Sequence, residues 1–221
     1  MSLIEAIDWL GEGGVLALGS LIIGVLFGAL AQRSRFCMRA AVLELSSGSI
    51  GSSVSIWLLA FFAAIAATQG LIAADLLDVT QARQLAARGS LSGAIIGGLL
   101  FGIGMVLARG CASRLLVLSA TGNLRSLVAG LVLTVTAQAS LRGALSPMRT
   151  YMSNLWTLEG GEARDLIAIL GLNGDSALVI GLIGLAAAIF YSIRNKISPW
   201  RVAGALGVGL MIACAWLFTY S

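Results

Sequence analysis

The sequence predicts an all-α, polytopic helical membrane protein with about six transmembrane helices and two re-entrant or broken segments. Three observations predict it: 58% of the 221 residues are hydrophobic, only 11% are charged, and the mean hydropathy is +0.97. A soluble globular domain is about half apolar and about a quarter charged. The apolar residues also gather into long uncharged runs, so we expect the bilayer to be the solvent of this chain.

Six uncharged runs approach the roughly 20 residues that a helix needs to cross a membrane. The long second run allows a tilted or broken helix, and the short fourth run relies on Arg125 and Arg142 as snorkelling ends. We expect residues 1–221 to form a single integral membrane domain. The runs are 13–32, 45–74, 89–108, 126–141, 176–193 and 202–221.

The segment before the first run decides between a retained helix and a cleaved signal peptide. It carries Glu5, Asp8 and Glu12 and no basic residue, whereas a signal peptide begins with a positively charged region. We therefore expect the first helix to be retained, with Trp9 as an anchor at the membrane interface.

An internal repeat is the most informative motif. Residues 22–37 (IIGVLFGALAQRSRFC) align without a gap with residues 96–111 (IGGLLFGIGMVLARGC), and each copy ends in an arginine followed two residues later by a cysteine. The shared glycines are four residues apart, which is typical of close packing between membrane helices. These glycines are Gly24, Gly28, Gly98 and Gly102.

The segments that follow the two repeated helices, 33–47 and 109–125, are too short and too charged to span. If both are re-entrant and the N-terminus is outside, nine basic residues lie on the inner side and five on the outer side, which satisfies the positive-inside rule. The two copies then run parallel. If either segment crosses the membrane, they are inverted, as is common in transporters.

The repeated thiols are the strongest candidates for function. A lone membrane cysteine is usually a small buried hydrophobe, but Cys37 and Cys111 recur with the same arginine, whereas Cys214 has no such context and is expected to pack. Arg35 and Arg109 are either topology anchors or attract an anion. The chain has no histidine, which disfavours zinc, copper and haem sites, so we expect no metal and no cofactor. The net charge of +4 without an aqueous domain does not indicate nucleic-acid binding.

These motifs resemble the YeeE/YedE family of bacterial sulfur-transport membrane proteins. The resemblance rests on GxLFGxxxxxxRFC in the first copy and on GxLFGxGxxLARGCxSxxL followed by TGNLRSL in the second. It implies a non-enzymatic, multi-pass protein of the inner membrane that takes up thiosulfate or a related sulfur anion. It also implies that Cys37 and Cys111 contact the substrate, with Gly110 and Ser113 beside the second thiol, and that a small sulfur carrier of the TusA type is a partner.

Full-length members resembling this chain carry a further cysteine motif in a later half, which is absent here. Three functions therefore compete: a transporter of a small sulfur anion, a half-transporter or non-transporting subunit that needs a second chain or a homo-oligomer, and a membrane thiol oxidoreductase. The last would typically use a Cys-x-x-Cys pair, which the sequence lacks.

Overall fold

The computed structural model describes residues 3–77, 88–159 and 174–220, which form nine helices and one short antiparallel strand pair. The strands are β1 (Gly89–Ser90) and β2 (Thr157–Leu158), with Gly89 opposite Leu158. The helices are α1 (Leu3–Ser34), α2 (Met38–Ser46), α3 (Ser52–Ala73), α4 (Leu91–Leu107), α5 (Ala112–Ala120), α6 (Leu124–Arg142), α7 (Ser146–Ser153), α8 (Gly174–Arg194) and α9 (Pro199–Tyr220).

Among the described residues, six helical stretches are long and apolar enough to cross a membrane: Gly13–Ser46 (α1 and α2), Ser52–Ala73 (α3), Leu91–Ala120 (α4 and α5), Leu124–Arg142 (α6), Ser176–Arg194 (α8) and Pro199–Tyr220 (α9). They coincide with the six uncharged runs, so the predicted fold class is confirmed. The run at 45–74 resolves into a turn followed by α3. Helix α1 has a kink at Gly11, where the backbone leaves helical geometry (φ 70°, ψ 160°). The side chain of Trp9 lies outside the described part of the chain.

The core lies around α3, which packs against α8 and α9, while α1 packs along α9. Close approach depends on glycine, because a Cβ at Gly209 of α9 would lie 2.5 Å from the carbonyl oxygen of Ala60. Leu59 and Ala205 are fully buried in this region. Small residues let helix backbones approach closely where lipid supplies no hydrophobic driving force.

The repeat glycines do not take part in this packing, so that expectation is wrong. A Cβ built at any of the four would meet no atom within 4 Å. They leave open faces on α1 and α4. The glycines in question are Gly24, Gly28, Gly98 and Gly102.

Helices α4 to α7 form a second unit beside this core. Ser92, which is buried, donates to the carbonyl of Met152 and accepts from the backbone N–H of Trp156, while Ser90 donates to the carbonyl of Ser153. These bonds join the start of α4 to the end of α7. The second unit meets the core mainly where α5 contacts α1.

Candidate functional site

The two repeats follow the same backbone path around their cysteines. Arg35 and Arg109 both have φ of 56°, a left-handed conformation that side chains other than glycine seldom adopt. Two residues later, Cys37 and Cys111 are the N-cap residues of α2 and α5, each nine residues long. Gly48 and Gly122, both with positive φ, follow the ends of α2 and α5. At about 1.5 Å per residue such a helix is far too short to span.

The two thiols meet. Cys111 is 4% exposed and Cys37 is half-buried, and their thiols lie close to each other although the residues are far apart in the sequence. The Sγ of Cys111 also lies 3.4 Å from the Oγ of Ser113. A single site is therefore built from one thiol of each repeat.

The first turns of α2 and α5 have no side-chain cap, because neither N-cap thiol makes a capping hydrogen bond. Helices α4 and α6, by contrast, are capped: Ser90 accepts from the N–H of Gly93, and Asn123 accepts from the N–H of Ser126. Uncapped N–H groups at a helix N-terminus and the positive end of the helix dipole both favour an anion. Two such helix starts converge on the thiol pair.

The arginines near the thiols have no carboxylate partner in the part of the chain that the structure describes. Arg114 donates to the Oε1 of Gln32 at 3.0 Å, which joins α5 to α1. Arg39 follows Cys37 by two residues, and its buried Nε has no hydrogen-bond partner among the described residues. Positive charge without a matching acid leaves the site complementary to an anion.

Glu44, the acid nearest in sequence to these arginines, has a structural role instead. Its Oε2 accepts from the backbone N–H of Val54 at 2.7 Å, in the first turn of α3. Asn195 donates from the other side to the carbonyl of Ile50 and to the Oγ of Ser55. The Glu44 bond joins α2, and with it Cys37, to α3, while the Asn195 bonds join the start of α3 to the end of α8.

The structure brings together part of the predicted site. Cys37, Cys111 and Ser113 converge, and buried Gly110 directly precedes the second thiol. Arg35 and Arg109 are exposed and make no hydrogen bond through their side chains among the described residues. No group of three or more metal-binding side chains occurs in the described ranges.

Sequence reasoning missed Gln32 and Asn195. Both are uncharged residues beside charged ones, and each acts through a partner distant in the sequence, Arg114 and Ser55 respectively. Gln32 has no counterpart in the second repeat, where Val106 occupies the matching position. The repeat pattern therefore could not reveal it.

Six apolar helices around a paired-thiol, acid-poor site define a multi-pass helical membrane protein with a site suited to a small anion. The family model described as sulphur transport matches residues 33–220, and the chain belongs to this sulphur transport family, the YeeE/YedE family. The membership gives the protein a role in sulphur transport at the level of the family. No curated protein matches the chain.

Proposed function

We propose that the protein carries a small sulfur-containing anion, thiosulfate in the simplest case, across the bacterial inner membrane, with the N-terminus on the periplasmic side. The observation that carries the proposal is the contact between Cys37 and Cys111. An S–H group is a weak donor and sulfur is a weak acceptor, so two adjacent thiols offer successive contacts to the terminal sulfur of thiosulfate.

Two further features support an anionic substrate. The thiols occupy the N-cap positions of α2 and α5, so the starts of both helices lie beside the thiol pair. The nearby arginines are free of carboxylates in the described residues. Backbone amides and thiols together bind a soft anion without the cost of a buried permanent ion pair.

Uptake of labelled thiosulfate into proteoliposomes tests the proposal. We expect Cys37→Ala and Cys111→Ala each to reduce uptake strongly. Cys214→Ala is the matched control, because Cys214 is exposed on α9 and makes no contact with the pair. Undiminished uptake in both pair variants, or an equal loss in the control, would overturn the ligand role.

A thiol oxidoreductase is a second candidate, favoured by the same contact, because two facing thiols can form a disulfide by giving two electrons and two protons to an oxidant such as a membrane quinone. Serine separates the two functions: Cys37→Ser and Cys111→Ser retain a hydrogen-bonding group but cannot be oxidised to a disulfide. Partial uptake by the serine variants supports transport. Loss of all activity in the serine variants supports redox chemistry if the wild type also shows a Cys37–Cys111 crosslink that forms and breaks during turnover.

A partner chain is a third element of the proposal. The open faces of α1 and α4 at the repeat glycines have room for another helix, from a second copy or a second half-chain. A sulfur carrier of the TusA type would receive the substrate on the cytoplasmic side. Uptake by the purified chain in monomeric form, with no gain from an added carrier, would argue against both partners.

A further inference from the structure

A polar pocket lies at the end of α4 opposite Cys111. Its volume is about 430 Å³, and Arg88 and Arg149 line it together with Ser90, Ser153 and Asn154. Arg149 uses its Nε to donate to the carbonyl of Ser140 at 3.0 Å, and its terminal NH groups make no other bond among the described residues. None of the described residues that line the pocket is acidic.

An apolar crevice of about 310 Å³ continues from this pocket between α4, α6 and α7. The two cavities share Arg149 and Ser153. The crevice follows one face of α4 from Gly93 through Gly97 to Leu100, which is about 10 Å along the helix. A charged mouth thus opens directly into a narrow hydrocarbon-lined space.

The mouth lies at the level of the membrane interface. The span that contains α4 begins at Leu91, beside Ser90 in the pocket wall. Tyr151 and Trp156, which are 72% and 61% exposed, lie on the same end of the molecule, and exposed Tyr and Trp gather at lipid headgroups. The crevice therefore extends from headgroup level towards the hydrocarbon.

We propose that this pocket and crevice bind one anionic phospholipid, with the headgroup phosphate on Arg88 and Arg149 and one acyl chain along Gly97. Arginine matches phosphate oxygens in a bidentate geometry, and basic pockets between membrane helices hold anionic headgroups. A small free anion would make no favourable contact with the apolar crevice. Two arginines without an acid favour a headgroup that carries a net negative charge.

The test is native mass spectrometry of the full chain in detergent with phosphatidylglycerol or phosphatidylcholine of identical chains. We expect phosphatidylglycerol to bind at least about tenfold more tightly. Arg88→Gln, Arg149→Gln and the double variant should reduce this preference. Arg142→Gln is the matched control, because Arg142 is exposed at the end of α6 and does not line the pocket.

The crevice is tested separately with Gly97→Leu, whose side chain would fill it because a Cβ there meets no atom within 4 Å. We expect weaker binding of both lipids, whereas Gly98→Leu, equally open but outside the crevice lining, should bind like the wild type. Arg88→Gln removes no side-chain hydrogen bond among the described residues, so its result stands if Arg149→Gln fails to fold.

Three outcomes would overturn the proposal. Equal binding of the two lipids by the wild type removes the role of the arginines. Unchanged binding by Gly97→Leu removes the role of the crevice. Displacement of the lipid by millimolar inorganic phosphate or thiosulfate, with no dependence on acyl-chain length, assigns the pocket to a soluble anion instead.

Discussion

Replacement of Arg35 by glycine should raise the stability of the fold and lower the transport activity. The backbone at Arg35 and at its repeat partner Arg109 has φ of 56°. Glycine adopts this conformation without the steric cost that a Cβ imposes. Arg35→Gly should therefore stabilise the protein, although it removes a guanidinium group next to the proposed transport path.

The magnitude follows from two opposing contributions. Relief of the left-handed conformation contributes roughly 1–2 kcal/mol, and the extra flexibility of glycine in the unfolded chain costs roughly 0.5–1 kcal/mol. With the middle of each range, the net gain is roughly 0.75 kcal/mol in the free energy of unfolding. At about 2–4 °C per kcal/mol for a chain of this size, the melting temperature should rise by about 1–4 °C.

The assay is thermal unfolding in detergent alongside thiosulfate uptake. Arg35→Ala keeps the conformational cost and should gain nothing in stability. Arg33→Gly is a matched control of opposite sign, because Arg33 lies in the last turn of α1 and its guanidinium lies 4.8 Å from the ring centroid of Trp200; it should lose about 1 kcal/mol. Uptake by Arg35→Gly should fall by up to about tenfold at low ionic strength and less at high salt.

A fall in the melting temperature of Arg35→Gly would refute the conformational reasoning. Unchanged uptake at low salt would refute the role of the guanidinium in attracting the anion. The same pair of measurements on Arg109→Gly should agree in sign, because Gly110 and Cys111 continue the same backbone path in the second repeat.

Three further experiments test the packing and the hydrogen bonds that hold the site. Gly209→Ala should lower the free energy of unfolding by about 1–3 kcal/mol, because its Cβ meets the backbone of Ala60. Gly98→Ala should leave it unchanged or raise it by up to about 1 kcal/mol. Similar melting temperatures for the two variants would contradict the packing. Glu44→Ala should cost about 0.5–2 kcal/mol in unfolding free energy through loss of the cap on α3, and no loss would exclude that cap. A double-mutant cycle of Arg114→Ala and Gln32→Ala should show a coupling of roughly 0.5–1.5 kcal/mol; independent effects would show that the bond does not join the units.

The six spans could be predicted from the sequence because apolar length alone determines whether a segment suits the bilayer. The short helices α2 and α5 could be placed only as broken segments, since nine residues with mixed polarity carry little periodic signal. The packing role of the repeat glycines was predicted wrongly. Spacing shows that Gly24 and Gly28 share a helix face, but not whether another helix reaches it.

The sequence indicated which residues belong to the candidate site, but not how these residues are arranged in space. Repetition indicated Cys37 and Cys111, yet their contact depends on how α5 lies against α1. The left-handed backbone at Arg35 could not be predicted from the sequence, because arginine has no preference for positive φ. Glu44 is the acid nearest in sequence to the arginines, but its carboxylate accepts from the backbone N–H of Val54 at the start of α3, which the sequence does not indicate.

The unequal anchoring of the two thiols has a mechanical consequence. Cys37 is the N-cap residue of a helix that is joined to α3 through Glu44, whereas Cys111 belongs to a unit that is joined to α1 by the hydrogen bond between Arg114 and Gln32. Membrane helices respond to hydrophobic thickness by changing tilt. A thicker or thinner bilayer that tilts α4 and α6 relative to the core therefore alters the sulfur–sulfur separation, which makes the site sensitive to the membrane around it.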